Sequence, residues 1–392
     1  MLPVNTQNAL GIDIGSTTTK IVLVRSGQIV YEKYERHLSR VREKTLELIE
    51  EIRPLLEAVP FTVALSGSAG LGVAEAAGIP FVQEVYATGE VVRCLEPDTS
   101  AVIELGGEDA KVIFFTGGVD ERMNGSCAGG TGAFIDQMAV LLNMTVAEMD
   151  AASLQAEKLY PIASRCGVFA KTDIQPLLNQ GARKADVAAS IYQAVVNQTI
   201  AGLAQGRKIA GKVLFLGGPL YYCKGLRARF RETLGLDDET AVFPAYGRFA
   251  VALGAAMYSA TVGQAPVTFD VLVRRLRECK MVFGRDRLKP LFASPAEYDA
   301  FCQRHARATV PKADLATYAG PAWLGIDCGS TTTKLALISQ DRALLYTYYS
   351  SNQGNPVQLV KAQLEEIYRR CGDRVTICGC ACTGYGEELV KN

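Results

Sequence analysis

Two periods of hydrophobicity organise this chain. Short runs alternate apolar and polar residues and predict strands, while longer runs with apolar residues every three to four positions predict helices. Leu10–Ile14, Lys20–Arg25 and Gln28–Tyr34 are three predicted strands of a meander, joined by the Gly15–Thr19 turn and by Ser26-Gly27. Val41–Glu57 is a predicted helix with Leu46, Ile49 and Ile52 on one face, interrupted near Pro54. Phe61–Leu65 is a strand ending in the glycine-rich stretch Ser66–Gly72. A similar set follows: strand Ala101–Leu105, turn Gly106-Gly107, strand Lys111–Phe115, helix Val187–Leu203, strand Val213–Leu216 and the small-residue helix Arg248–Thr261. Three strands, a helix and a strand, then a comparable second set, predict an α/β fold of two lobes facing a cleft, residues 1–100 and 101–262. Residues 263–320 read as a helical connector with helices in Phe269–Arg287 and Ser294–Arg307, the basic run Arg274, Arg275 and Arg277 forming a solvated face.

The chain also repeats itself. LGIDIGSTTTK at Leu10–Lys20 recurs as LGIDCGSTTTK at Leu324–Lys334, an offset of 314 residues with one difference in eleven positions. The same offset carries Ser66–Gly72 onto Cys380–Gly386. Residues 321–392 therefore read as the start of a second copy, and the chain as a fragment of a larger tandem-domain polypeptide. The second copy reaches no GGED or cysteine motif, so no complete nucleotide site is expected in it.

Composition narrows the function. With 392 residues, two or three domains are expected. Lys and Arg total 41, as do Asp and Glu, which leaves no basic excess for nucleic acid. A 48% hydrophobic share argues against disorder. His37 and His305 are the only histidines, so histidine-built metal sites and triads are almost excluded. No apolar run reaches the ~18 residues of a membrane helix, and the start lacks a signal-peptide pattern, so a cytoplasmic protein with no membrane or nucleic-acid partner is expected. There the eleven cysteines should be thiols, ligands or redox groups.

Three motifs carry candidate chemistry. In Asp13-x-Gly15-Ser16-Thr17-Thr18-Thr19-Lys20 an acid ends a strand before a hydroxyl-rich turn whose backbone N–H groups can converge on phosphate, and Asp13 can hold Mg²⁺ through water. Glu104-Leu105-Gly106-Gly107-Glu108-Asp109 repeats that logic at the second lobe, with carboxylates able to orient water or metal. Leu216-Gly217-Gly218-Pro219 lies between a strand and a helix, as a nucleoside-contacting turn would. In this order the motifs resemble the acetate and sugar kinase, heat-shock chaperone and actin superfamily, which implies two ribonuclease-H-like lobes closing on Mg-ATP, the actin-like ATPase fold. On that resemblance Asp13, Glu104 and Glu108 are the candidate catalytic residues. Gly15, Ser16, Thr17, Thr18, Lys20, Gly106, Gly107, Gly217, Gly218 and Pro219 are the candidate ATP/ADP contacts.

Cys127 and Cys166 each lie at a glycine-containing junction, 39 residues apart, where helix N–H groups can lower a thiol pKa. Their surroundings, GSCAGGTGAFIDQMA and SRCGVFAKTDIQ, resemble the activator ATPases of 2-hydroxyacyl-CoA dehydratases and the ATPase subunits of benzoyl-CoA reductases. The resemblance implies a homodimer holding one 4Fe-4S cluster between subunits through Cys127 and Cys166. It further implies electron transfer, driven by ATP hydrolysis, from a donor such as ferredoxin or flavodoxin to a dehydratase-like or double-cluster iron–sulfur acceptor. Two departures stand out: the family's DIGGQD is ELGGED here, and Pro219-Leu220-Tyr221 replaces smaller residues. A small-molecule kinase of the same fold, with Glu104, Glu108 or Asp109 as base, and a nucleotide-gated assembly module are the alternatives. Cys378, Cys380 and Cys382 look like a metal cluster, but the repeat aligns them with Ala64, Ser66 and Ser68, so small core positions on one strand face are expected.

Overall fold

A computed structural model of the chain describes residues 8–124, 129–164, 167–263, 265–279, 289–329, 331–352, 355–384 and 390. The chain divides into two compact units, Met1–Val140 with Met144–Ala170 and Ala185–Val282, and Leu141–Asn143 with Lys171–Lys184 and Phe283–Asn392. Among the described residues no helix is long and apolar enough to cross a membrane.

The first unit begins with strands β1 (Asn8–Ile14), β2 (Thr18–Arg25) and β3 (Gln28–Arg36), helices α1 (Val41–Glu51) and α2 (Arg53–Leu56), strand β4 (Phe61–Ser66), and helices α3 (Gly70–Ala77) and α4 (Glu84–Leu95). The helix expected over Val41–Glu57 divides at Ile52, because Pro54 occupies the second position of α2 and lacks an N–H for a continuous ladder. The sheet order is β3-β2-β1-β4, with β1 antiparallel to β2 and parallel to β4. Leu10, Ile12 and Leu65 on one face pack with Leu48, Ile49 and Ile52 of α1 and its end. Ala9, Val22 and Val24 on the other face pack with Ala252 and Ala256 of the later helix α11 (Ala250–Thr261). That approach is close enough to demand glycine: a Cβ on Gly11 would lie 1.8 Å from the Ala252 carbonyl oxygen.

The second lobe contains β5 (Ala101–Leu105), β6 (Ala110–Phe114), β7 (Asp120–Met123), α5 (Gly132–Leu141), α6 (Val146–Ser153), α7 (Gly167–Asn179), α8 (Lys184–Asn197), β8 (Val213–Leu216), α9 (Gly218–Tyr222), α10 (Lys224–Leu234) and β9 (Ala241–Val242). Its sheet order is β7-β6-β5-β8-β9. The helix expected over Val187–Leu203 is α8 followed by a π-helical segment, Gln198–Ala204. Helix α12 (Phe269–Glu278), read from sequence as part of a connector, places Phe269, Leu272, Val273 and Leu276 in the same core as α1 and β1. Its arginines face outward, where Arg277 meets Glu50 and Arg275 meets the Gly78 carbonyl.

The second unit contains α13 (Pro295–Ala306), β10 (Gly320–Cys328), β11 (Thr332–Ser339), β12 (Leu344–Ser351), α14 (Pro356–Cys371) and β13 (Val375–Thr383), with sheet order β12-β11-β10-β13. Leu324, Ile326, Leu335 and Leu337 pack with Val360 and Ile367 of α14. The repeat is thus copied in strand order and direction, but not at a constant offset. Asp13 pairs with Ser66 in the first sheet and Asp327 with Thr383 in the second, so the structural offset has grown from 314 to 317 at this strand. Gly67 and Gly384 agree: a Cβ on either would press on the preceding turn's Asp13 or Asp327.

This register corrects the reading of the three clustered cysteines. Cys380 and Cys382 correspond to Val63 and Leu65, and Cys378 is the extra residue of a bulge. Cys378 and Cys380 are exposed, and Cys382 is half-buried. They are not three core residues. In the first copy Val63 and Leu65 are covered by Val73 and Ala74 of α3 and by α12; in the second, Val390, the counterpart of Val73, packs on the core that Cys382 joins, and no helix among the described residues of that core takes the place of α12.

Candidate functional site: a nucleotide cleft

The first turn is built by the β1–β2 register, which sets Asp13 opposite Lys20. Lys20 Nζ donates to Asp13 Oδ2 at 2.8 Å. Burial works against the Lys20 ammonium, but the Asp13 carboxylate holds it above the ordinary lysine range. The Gly15 N–H donates to the Thr18 carbonyl at 3.0 Å, closing the turn. His37 braces it from below: its N–H donates to the Thr17 carbonyl, and its Nε2 lies 3.0 Å from the Gly15 carbonyl. Because the Ser39 N–H donates to His37 Nδ1, the ring proton belongs on Nε2. The second copy repeats the arrangement with Lys334 2.9 Å from Asp327 and Asn352 donating to the Gly329 carbonyl in place of the histidine.

The second turn sits at the end of β5. The Gly106 N–H donates to the Asp109 carbonyl, and the first N–H groups of α5, at Gly132 and Ala133, donate to the carbonyls of Gly106 and Gly107. Lys111, opposite Glu104 on β6, is a buried hub. Its Nζ pairs with Glu84 of α4, lies 2.6 Å from Asp109 Oδ2 and 3.9 Å from Glu104 Oε1. Thr88, also on α4, donates to Glu104 Oε2 at 3.2 Å. Burial pushes the Glu104 carboxyl up to about 7, with Lys111 opposing the rise and Glu84, Asp109 and Asp13 adding to it. Burial raises Glu84 as well. Burial would lower Lys111, yet Glu104, Glu84 and Asp109 together hold it far above the ordinary range.

At the third turn the Gly217 N–H donates to the Gly247 carbonyl, and Gly218 starts α9 so close to Tyr34 that a Cβ would lie 2.4 Å from the phenol oxygen. The three turns enclose a cleft of about 450 Å³, within the usual range for a small-molecule site. Thr17, Thr18, Gly107, Gly218 and Pro219 line it, together with Tyr34, Tyr222 and Cys223. Burial pushes the Cys223 thiol up to about 11, so it is an un-ionised wall at neutral pH. A neighbouring pocket of about 30 Å³ is lined by Asp13, Lys20, Glu104, Gly106 and Gly217. Arg36 on β3 pairs with Asp136 on α5 at 2.8 Å across the mouth. The guanidinium of Arg248 stands 4.2 Å over the ring of Tyr221, and Tyr34 meets Tyr222 edge to face.

Of the residues singled out from sequence, ten therefore meet around these two connected spaces. Gly15 and Ser16 form the first turn and line neither. Glu108 is exposed and lines neither, its backbone carbonyl accepting from Asn124. Cys127 and Cys166 lie outside the described residues. Glu84, Thr88, Lys111 and His37 are site residues that sequence reasoning missed. Nothing in their spacing marks them: Glu84 and Thr88 come from α4, Lys111 from β6 and His37 from the turn after β3, and they support the cleft's turns without lining either space.

The profile of the BadF/BadG/BcrA/BcrD ATPase family matches residues 10–259, well over half of the chain. The chain belongs to this family. The (R)-2-hydroxyglutaryl-CoA dehydratase activating ATPase of Acidaminococcus fermentans is 31% identical over 258 residues, covering 64% of this chain and 96% of that protein. The solved structure of component A of that dehydratase matches with a TM-score of 0.56 and 28% identity, covering 65% of this chain and 98% of its own. The activator of the 2-hydroxyisocaproyl-CoA dehydratase from Clostridium difficile, solved with bound ADPNP, matches with a TM-score of 0.55 and 25% identity, covering 70% and 99%. The expected actin-like ATPase fold is thereby borne out.

The buried Glu104 of this ATPase makes its stability depend on pH. A carboxyl raised from 4.5 to about 7 contributes stability that is full below pH 4.5 and lost as pH rises through 7. The wild-type chain should lose about 3 kcal/mol between those limits from this residue. Glu104→Gln should flatten that slope in urea titrations from pH 4.5 to 8. An unchanged slope would show that Glu104 ionises freely in the folded chain.

Proposed function

We propose that the first unit is an ATP-hydrolysing electron activator, a reductase component that delivers low-potential electrons to a 2-hydroxyacyl-CoA dehydratase-like or related iron–sulfur protein. The observation carrying this reading is the convergence of the three turns on one cleft in a chain whose relatives include dehydratase activators. Thr17, Thr18, Gly107 and Gly218 contact the phosphates through backbone and hydroxyl donors, and Lys20 supplies positive charge beside them. Pro219 and Tyr222 border the nucleoside, with Arg248 and Tyr221 as an outer wall. Asp13, buried at a strand end and adjacent to Lys20, suits a water-mediated Mg²⁺ contact, and the ion would neutralise charge on the phosphates. Glu104 accepts the proton of the attacking water, its pKa near neutrality suiting a general base. Water adds to the γ-phosphorus, the bond to the ADP oxygen breaks, and phosphate leaves.

A 4Fe-4S cluster needs four thiolates, so Cys127 and Cys166 from each of two chains would hold one at a twofold interface. Helix α7 begins one residue after Cys166 and α5 five residues after Cys127, so both thiols lie close in sequence to helix N-termini that favour thiolates. The cluster would supply one-electron chemistry at low potential. ATP-driven motion of the lobes, latched by Arg36 and Asp136, would alter its exposure and dimer geometry.

Anaerobic purification followed by iron assay and electron paramagnetic resonance tests the redox reading. Wild type should carry a cluster that Cys127→Ala loses, while ATP hydrolysis persists. Iron-free wild type with rapid phosphotransfer to a sugar or carboxylic acid would defeat it in favour of a kinase. Glu104→Gln should slow hydrolysis by roughly 10²–10⁴ while leaving nucleotide binding intact. Equal losses of binding and turnover would remove Glu104 from the role of base.

A further inference from the structure

The one difference within the repeated eleven-residue motif puts Cys328 where the first copy has Ile14. The strand pairings put Cys382 where the first copy has Leu65, since Ile326 faces Cys382 as Ile12 faces Leu65. In the first copy Ile14 and Leu65 are fully buried in one apolar cluster. In the second, the corresponding cluster holds Cys328, fully buried, with Cys382 half-buried and packed against it. Strands β10 and β13 run parallel, so Cys328 lies two residues beyond Ile326 on the face that Cys382 shares. The strands stay close at this end: a Cβ on Gly384 would lie 2.4 Å from the Cys328 carbonyl oxygen. The two thiols hydrogen-bond to each other, and burial, with Cys382 adding to it, pushes the Cys328 thiol up to about 11. Two adjoining aliphatic side chains have thus both become cysteine in a motif that is otherwise kept. Packing alone does not account for that pair, because alanine or valine would fill the same positions without a reactive group.

We infer that Cys328 and Cys382 are a reversible dithiol–disulfide site of the second unit, oxidised by low-molecular-weight disulfides. Half-buried Cys382 is the thiol such an oxidant, RSSR, can reach. Its sulfur attacks one sulfur of RSSR, the S–S bond breaks, and the departing RS⁻ takes the Cys382 proton and leaves as RSH. Cys328 then attacks the Cys382 sulfur of the mixed disulfide and passes its proton to the second departing RS⁻. Two protein thiols give up two electrons and two protons, and RSSR becomes two RSH. Cys380 lies opposite Leu324, two residues further from Cys328 along β13, and Cys378 occupies the bulge, so neither competes for Cys328. The bridge ties β13 to β10 beside the Asp327–Lys334 pair. Cross-linking strands far apart in the chain restricts the unfolded state, so oxidation stabilises this unit. The inference concerns the second unit and stands apart from the reading of the nucleotide cleft.

The full chain, reduced and then freed of reductant, is incubated with oxidised glutathione, alkylated and digested with trypsin. Residues 313–334 should be recovered joined to residues 375–391, with fragment ions placing the bond between Cys328 and Cys382. Dithiothreitol should release both peptides. Oxidation should also raise the urea midpoint of the second unit, read by Trp323 on β10, the chain's single tryptophan. Cys328→Ser should halt the reaction at a Cys382–glutathione adduct, and Cys382→Ser should leave Cys328 unmodified. Cys328→Ile combined with Cys382→Leu restores the residues of the first copy, so it should fold and lose the shift in midpoint. A bond from Cys328 to any other cysteine, or no bond at any ratio of oxidised to reduced glutathione, would overturn the proposal. So would an equal yield of the Cys328–Cys382 bond in urea, which would show that the fold does not bring the two thiols together.

Discussion

Lys111→Met is expected to be among the most damaging single substitutions in the first unit. It removes the buried cation that Glu84, Glu104 and Asp109 share and leaves the buried Glu104 and half-buried Glu84 without a counter-charge, while Asp109 keeps partial access to water. Breaking a buried ion pair by deleting one partner typically costs about 3–5 kcal/mol, because the stranded charge is poorly solvated. The measurement is urea unfolding at pH 8 monitored by far-ultraviolet circular dichroism. Glu84→Gln combined with Lys111→Met should recover part of the loss, since it removes one stranded charge, and the recovery should be larger at pH 8 than at pH 5. A loss below about 0.5 kcal/mol, the range of a surface substitution, would show that water reaches the cluster.

The same change of one methyl group should be costly in the first copy and nearly neutral in the second. Gly11→Ala places a Cβ 1.8 Å from the Ala252 carbonyl and 2.5 Å from the Ala256 nitrogen, so α11 has to move as a body. Overpacking of this kind costs about 1–3 kcal/mol or more, and here the obstacle is backbone rather than a side chain that can rotate away. Gly325→Ala meets open space and should change stability by no more than about 0.5 kcal/mol. Calorimetry of the first unit and Trp323 fluorescence of the second report the two variants separately, which matters because two units need not unfold in one transition. Equal losses would show that both sheets carry a helix in solution.

How much of this was legible beforehand follows from the range over which each feature is specified. Strand and turn chemistry is local. The period-two runs around Leu10–Ile14 and Ala101–Leu105, the Asp13–Lys20 turn and the glycine pairs at 106-107 and 217-218 are written in consecutive residues, and the structure brings them together. The repeat also fixed strand order in the second unit, because the same meander folds the same way. By contrast, the hub at Lys111 joins residues from α4, β5, β6 and the turn between the two strands, and no spacing announces it. His37 and Asn352 fill one role at positions that a constant offset does not match. The cysteine triplet was misplaced because a three-residue drift and a bulge shift strand register, and the alternation of faces shifts with it.

What the sequence determined by itself was the family-bearing motifs, the two-lobed α/β architecture and the duplication, since hydrophobic period and turn residues act over a few positions. What only the tertiary structure decided was which charges share a buried site and which sheet face is covered. Both depend on contacts between residues far apart in the chain, where burial sets the strength of a charge and a single helix sets whether a glycine is required.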